Sequence, residues 1–255
     1  MIFIIMSKVF ISFAGGNQYG DRLYDALNRI TDQATKIGVF DKVIGYTDSS
    51  LKNDKEFWDL HGEFLTKMTK GYGYWLWKPY IVKKTIETMK DGDVLLYLDA
   101  GCEMNISKPD DMNRLIGLAM KHDMVYTGSG MPTSRNTKKD VMIEMGMYDE
   151  KSCRAVQNQA GVVFYHVNER TRKFANEWYN ICSDKTDNYR MINECGWIKN
   201  IPSLEGVHRF DAHRHDQSIF SLLAYKYNIG HRINAQGIPS IRVERNRSGI
   251  SKINN

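Results

Sequence analysis

Apolar and polar residues fall in blocks along this chain, and the blocks change period. Lys8-Val9-Phe10-Ile11-Ser12-Phe13-Ala14 is a nearly continuous apolar run that stops at Gly15-Gly16. A run of that length bounded by glycines predicts a buried strand followed by a loop. Residues 20–36 place Leu23, Ala26, Leu27 and Ile30 three or four apart, the spacing of one helix face. A second strand is predicted over 39–46, with Asp48-Ser49-Ser50 as a turn or cap, and a helix over 55–69. Pro79 suits the first turn of a helix running from Lys78 to Met89. After the turn Asp91-Gly92-Asp93, Val94-Leu95-Leu96-Tyr97-Leu98 is apolar throughout. It predicts a central strand buried on both faces.

The second half continues this way. Helices are predicted over 110–121, 169–182 and 216–227, and short strands over 124–126, 162–165 and 229–233. The polar stretch 128–140 reads as a long loop. Strands alternating with helices predict an α/β sandwich around a mainly parallel sheet. No repeat or Pro/Ser-rich linker divides the 255 residues, so one domain over 1–255 is expected, with a basic tail over about 240–255. Ligands of such a sheet bind beyond the carboxyl ends of its strands. The residues just after each strand are therefore the first candidates for chemistry.

Composition narrows the function classes. With 42% hydrophobic and 25% charged residues, the chain is neither disordered nor fibrous. A net charge of +5 is too modest for a nucleic-acid-binding field. The tail residues Arg242, Arg245, Arg247 and Lys252 read either as a solvated segment or as a patch for phosphates or an anionic surface, so peripheral membrane contact stays open. Met1 to Met6 is apolar but too short for a signal peptide or a membrane span, and a cytoplasmic protein is expected. The four cysteines, at 102, 153, 182 and 195, form no CxxC pair, which disfavours a zinc ribbon or a disulfide scaffold.

Three segments carry candidate chemistry. In Tyr97-Leu98-Asp99-Ala100-Gly101-Cys102-Glu103, a carboxylate directly follows the most apolar strand. It needs water, a cation or a donor, and the small residues Ala100 and Gly101 would let a ligand approach the backbone. A turn-forming Asp99 is the plainer alternative. In Gly71-Tyr72-Gly73-Tyr74-Trp75-Leu76-Trp77-Lys78-Pro79, aromatic rings suited to a base or sugar precede a lysine at a helix start, where phosphate is favoured. A hydrophobic staple beneath a helix would use the same residues. In His215-Asp216-Gln217-Ser218, Asp216 reads as a helix N-cap or as a catalytic carboxylate, and His215 as an acceptor contact or an exposed loop histidine. His208, His213 and His215 with Asp211 and Asp216 make a loose cluster that matches no zinc spacing.

Taken in order, GYGYWLWKP at 71–79, YLDAGCEMN at 97–105, QAGVVFYHVNERTRKFANEW at 159–178 and RHDQSIFSLLAY at 214–225 resemble the GT-A-fold glycosyltransferases, specifically a group of small microbial and viral ones. The resemblance spans roughly residues 8–235. It implies a Rossmann-like GT-A sandwich that binds a nucleotide-sugar donor and transfers the sugar to a glycan or other glycoconjugate hydroxyl. Ser12 and Phe13, on the early strand end 12–16, would lie by the nucleoside. Asp99, Ala100 and Gly101 occupy the place of the family's Asp-x-Asp motif, whose second carboxylate is missing here. Asp99 would hold Mn²⁺ or Mg²⁺ alone with waters and phosphates, or Lys78 would neutralise the leaving diphosphate instead. Tyr97 and Gln159 would line the donor, His215 and Gln217 the acceptor, and Asp216 would be the base of an inverting enzyme. In a retaining one it would orient the acceptor. The segment 138–140 would either close over the diphosphate or stay solvated. A sugar-nucleotidyltransferase is disfavoured because Phe13-Ala14-Gly15-Gly16-Asn17-Gln18 has no basic residue before Arg22. A catalytically decayed carbohydrate- or nucleotide-binding protein is the remaining alternative.

Overall fold

The computed structural model describes residues 6–16, 22–199, 204, 207 and 210–253. Residues 1–5, the predicted helix start at 20 and 21, Asn17, Gln18 and His208 lie outside the described residues. Among the described residues, six strands form the main sheet in the order β2-β1-β3-β6-β5-β7. They are β1 (Lys8–Ala14), β2 (Lys42–Thr47), β3 (Val94–Leu98), β5 (Met124–Pro132), β6 (Val156–His166) and β7 (His231–Ile233). The short β4 (Glu103–Met104) and β8 (Ile241–Arg242) pair antiparallel in a sheet of their own. β1 runs parallel to β2 and β3, and β5 to β7; β6 alone is antiparallel to its neighbours β3 and β5. The sheet is thus mostly parallel, and apolar β3 lies near its centre, as expected.

Strand periodicity sorts the core into two layers. Val9, Ile11, Phe13, Leu95, Tyr97, Val163 and Tyr165 pack on one face, with residues of the helices Lys55–Lys67, Trp77–Thr88, Glu169–Cys182 and Asp216–Lys226. Phe10, Leu96, Leu98, Val162 and Phe164 pack on the other, with the helices Arg22–Lys36 and Pro109–His122. This is the α/β sandwich predicted from the alternation. Among the described residues, no helix is long and apolar enough to cross a membrane.

Two sequence expectations are corrected. The stretch 128–140 is not a long loop: β5 continues to Pro132, and short helices follow at Thr133–Asn136 and Lys139–Glu144. Likewise β6 begins at Val156, well before 162. The outer halves of β5 and β6 pair with each other, with register irregularities around Gly128. The polar residues of this half of β5 therefore read as a loop in the sequence. The basic tail is held through its backbone while the side chains of Arg242, Arg245 and Lys252 stay exposed. Its backbone pairs with β4 and continues as a strap over the turn at 99–103.

Candidate active site

The site is assembled where β1 and β3 end. Asp99 directly follows β3, and its backbone N–H donates to the Gly161 carbonyl of antiparallel β6 at 2.8 Å. A Cβ on Gly161 would stand 2.7 Å from Asp99 Oδ2, so a larger residue there would push the carboxylate from this position. Tyr97 Oη donates to Asp99 Oδ1 at 2.6 Å, and Lys78 Nζ lies 2.9 Å from the same oxygen. Oδ1 is therefore committed, while the Asp99 side chain as a whole remains 46% exposed.

Lys78 does not reach outward as a phosphate ligand would. Its side chain is 5% exposed, and its ammonium lies between Asp99 and Asp216, 3.8 Å from Asp216 Oδ2. It also donates to the Ala160 carbonyl at 3.4 Å and sits over the Tyr97 ring. Burial alone would lower its pKa, but Asp99 and Asp216 outweigh burial and raise it. Lys78 is a buried, permanently charged link between two carboxylates.

Asp216 is the first residue of its helix and does not cap it. The N-cap is His215, at φ +53, and it makes no side-chain cap bond. Asp216 is held in place through its backbone, whose carbonyl accepts from Trp178 Nε1 at 2.9 Å. Among the described residues its buried Oδ2 has no hydrogen-bond partner. Burial pushes its pKa up to about 7, with Lys78 opposing and Asp99 adding to the rise. A carboxyl that titrates near neutrality beside a charged lysine is suited to exchange protons.

The aromatic segment forms the wall next to these groups. Its backbone is left-handed through Gly71, Tyr72, Gly73, Tyr74 and Trp75, with φ between +51 and +78. Each non-glycine residue held there costs on the order of 1–3 kcal/mol. Ring packing offsets the strain: Trp77 stacks on Phe13 at 3.8 Å, and Tyr74 on His215 at 4.6 Å. The rings thus hold β1, the turn and the start of the Asp216 helix together.

The remaining predicted site residues take varied places. Ser12 is buried and donates to the Leu98 carbonyl at 2.8 Å, so it ties β1 to β3 just before Asp99. Gln159 accepts from Thr127 at 2.7 Å and is half-buried. Gln217 accepts from the Ala160 N–H at 3.4 Å and donates to Gln157 at 2.9 Å. Ala100 is buried, and Gly101 is pressed by the strap rather than open to a ligand: a Cβ there would meet Glu244 O at 3.1 Å.

His215 is not an exposed loop histidine. It is 2% exposed, Nδ1 is 2.6 Å from the Ile192 carbonyl, and burial lowers its pKa to about 4. Lys138 and Asp140 neither close over a ligand nor stay solvated. Lys138 Nζ donates to the Arg190 and Cys195 carbonyls at 2.7 and 2.8 Å, and Asp140 accepts the Trp197 N–H at 3.0 Å. Both residues anchor the segment 190–198. Among the described residues no group of three His, Cys, Asp or Glu side chains can hold a metal ion.

Sequence reasoning missed Arg29 and the buried role of Glu103. The Arg29 guanidinium donates to the carbonyls of Ala100, Cys102, Asn246 and Ser248. Glu103 accepts from Asn246 Nδ2 at 2.7 Å, Ser251 Oγ at 2.7 Å and the Lys252 N–H at 2.8 Å. A signal existed for Arg29, which lies on the Ala26–Ile30 stripe where an apolar residue was due. A surface groove of about 640 Å³, lined by Lys83, Glu87, Asp91 and Arg172 among others, includes none of the site residues. Its charges pair with each other, Lys83 with Glu87 and Arg172 with Asp91.

No protein-family profile matches the chain, and no curated protein matches its sequence. Several solved glycosyltransferase structures are similar to it at low identity. Mouse xyloside xylosyltransferase 1 aligns with a TM-score of 0.47 and 8% identity over 89% of this chain and 85% of that one. The galactosyltransferase LgtC aligns at 0.42 and 13% identity over 89% and 74%. A glycosyltransferase involved in glycosylation of the major capsid of PBCV-1 aligns at 0.40 and 9% identity over 71% and 67%.

Proposed function

We propose that this chain is a nucleotide-sugar-dependent glycosyltransferase that moves a sugar to a hydroxyl of a glycan or glycoconjugate. One observation carries the reading: a half-exposed carboxylate at the end of a central parallel strand, coupled through one buried lysine to a second carboxylate that titrates near pH 7. Glycosyl transfer asks for such a pair. One group orients the donor, and another takes a proton from the attacking hydroxyl. Asp99 faces the donor, with Oδ2 left to accept from a sugar or ribose hydroxyl. Asp216 is the proton acceptor. Lys78 holds the two carboxylates in one geometry, and the backbone from Phe13 to Gly16 borders the nucleoside. Gln159 faces the donor sugar; His215 and Gln217 border the acceptor.

A protein-held Mn²⁺ or Mg²⁺ does not fit these residues. Asp99 Oδ1 is already shared by a hydroxyl and an ammonium, so one carboxylate oxygen remains beside a positive charge. Glu103, the nearest further carboxylate in sequence, is consumed by the strap. No step is therefore assigned to a metal ion.

A second reading is favoured by the sealing of Asp216, whose side chain is 4% exposed. In it the carboxylate only balances Lys78, and the protein binds a nucleotide or carbohydrate without turnover. Asp99→Asn tests the main reading. The variant should melt like the parent yet lose donor binding or donor turnover, measured by calorimetry and by hydrolysis of UDP-, GDP- and CMP-sugars. Full activity in a folded Asp99→Asn protein would remove Asp99 from the donor site.

A further inference from the structure

We propose that Arg245, on the C-terminal strap, is the cation that meets the donor's diphosphate, at a site that works without a divalent ion. The inference rests on the glycosyltransferase reading and adds what that reading lacks, a positive charge for the leaving group. Two carboxylates against one ammonium leave the Asp99–Lys78–Asp216 cluster with one net negative charge once Asp216 ionises. A diphosphate brought to that cluster is repelled unless another cation faces it. Lys78 cannot fill the role, because its ammonium is buried and already engaged by Asp99, Ala160 and Asp216.

The strap brings a different cation to the same turn. A Cβ on Gly101 would stand 3.2 Å from Arg245 Cα, and the Asn246 N–H donates to the Gly101 carbonyl at 3.0 Å. Arg245 is thus packed against the turn that Asp99 begins. Its position is fixed by its neighbours. Asn246 is buried and bonded to buried Glu103, and Arg29 ties the Asn246 and Ser248 carbonyls to those of Ala100 and Cys102. Hydrogen bonds to charged groups, as here, are the stronger kind.

The strap's other cations are committed. Arg242 and Lys252 both pair with Glu244, at 2.5 and 3.4 Å. Arg247 also has a partner. Arg245 is exposed, and among the described residues it makes no ion pair or hydrogen bond. A guanidinium presents a planar fork of donors that matches two phosphate oxygens and carries its charge at any working pH. The small size of residue 101, which reads in sequence as room for a ligand, is instead room for the chain that carries this arginine.

Calorimetric titration of the full chain tests the assignment. The probes are UDP, GDP, ADP, CDP and dTDP in EDTA, each beside its monophosphate. The wild-type chain should bind at least one diphosphate in EDTA. Arg245→Gln should weaken that diphosphate about 10- to 100-fold, the range for losing one charged contact. Its monophosphate should change much less, and Arg245→Lys should recover part of the loss. Because Arg245 is exposed, both variants should melt with the parent. Unchanged diphosphate affinity in Arg245→Gln would overturn the inference and leave the glycosyltransferase reading standing. Binding abolished by EDTA and restored by Mn²⁺ would also overturn it. A wild-type chain that binds CMP but none of the diphosphates would overturn the inference alone; one that binds none of the di- or monophosphates would sink both.

Discussion

Asp99 and Glu103 sit four residues apart on one turn, yet their surroundings are opposite. Glu103 is fully buried, and both of its oxygens are bonded, to Asn246, Ser251 and the backbone at Lys252. Burial works to raise its pKa, but those hydrogen bonds win and the carboxyl ends below its ordinary value. The Asp99 cluster is left incomplete. Asp99 is half-exposed, and Asp216 behind it keeps a buried oxygen without a hydrogen-bond donor among the described residues. Buried polar groups in folded proteins are nearly always satisfied, so an orphan needs a reason. A saturated carboxylate fixes structure; an unsaturated one keeps capacity for a ligand or a proton. That difference separates the strap from the site more sharply than charge or burial does.

The largest effect should come from breaking the incomplete side. Asp216→Asn cannot accept a proton, and kcat should fall on the order of 10²–10⁴-fold with donor affinity kept. Stability supplies a second readout. With its pKa raised to about 7 by burial, Asp216 stays protonated in the folded chain where the unfolded chain has already lost that proton. Its contribution is therefore complete below about pH 4 and is lost as pH rises through about 7. Asp216→Asn should flatten the melting-temperature profile across that window, while in the wild type activity rises through it. A variant with normal turnover would leave Asp216 as a counter-ion of Lys78 alone.

The same contrast explains what was legible in the sequence. The apolar run of β3 announced a central strand, and the residue after it was visible as a candidate because a carboxylate there is expensive. Lys78 and Asp216 were also visible, but not their partnership, because they are 138 positions apart and meet only through folding. The polar half of β5 looked like a loop because the strand it pairs with, the start of β6, is itself polar. The strap was hidden for a similar reason. Charged residues near a chain end resemble solvent-exposed residues anywhere, and only the buried Arg29 on an apolar helix stripe hinted at a docking partner.

Breaking the complete side should be a matter of stability. Glu103→Gln keeps the shape but replaces one accepting oxygen with an amide that faces N–H or O–H donors. Loss of charge-assisted bonds at a buried site costs about 2 kcal/mol, within the usual range. Urea denaturation at pH 7 should show that loss as a lower midpoint with an unchanged slope. Turnover at saturating donor should stay near the parent's, since the side-chain hydrogen bonds of Glu103 go to the strap. A large fall in kcat without a stability change would place Glu103 in the reacting site and erase the distinction drawn between the two carboxylates.

The smallest effect should come from trimming one donor on the incomplete side. Tyr97 gives Asp99 Oδ1 one of its two partners, and Tyr97→Phe removes that hydroxyl alone. Lys78 remains on the same oxygen, and the exposed side of Asp99 lets water replace what is lost. No orphan is created, so the stability change should be under about 1 kcal/mol. Glu103→Gln, by contrast, disturbs a carboxylate that water cannot reach. At the site, Tyr97→Phe frees Asp99 to swing, so turnover should drop about three- to tenfold while the melting temperature hardly moves. If Tyr97→Phe instead destabilises the fold as much as Glu103→Gln does, Asp99 is as closed a structural group as Glu103, and the donor site must be sought elsewhere on the sheet.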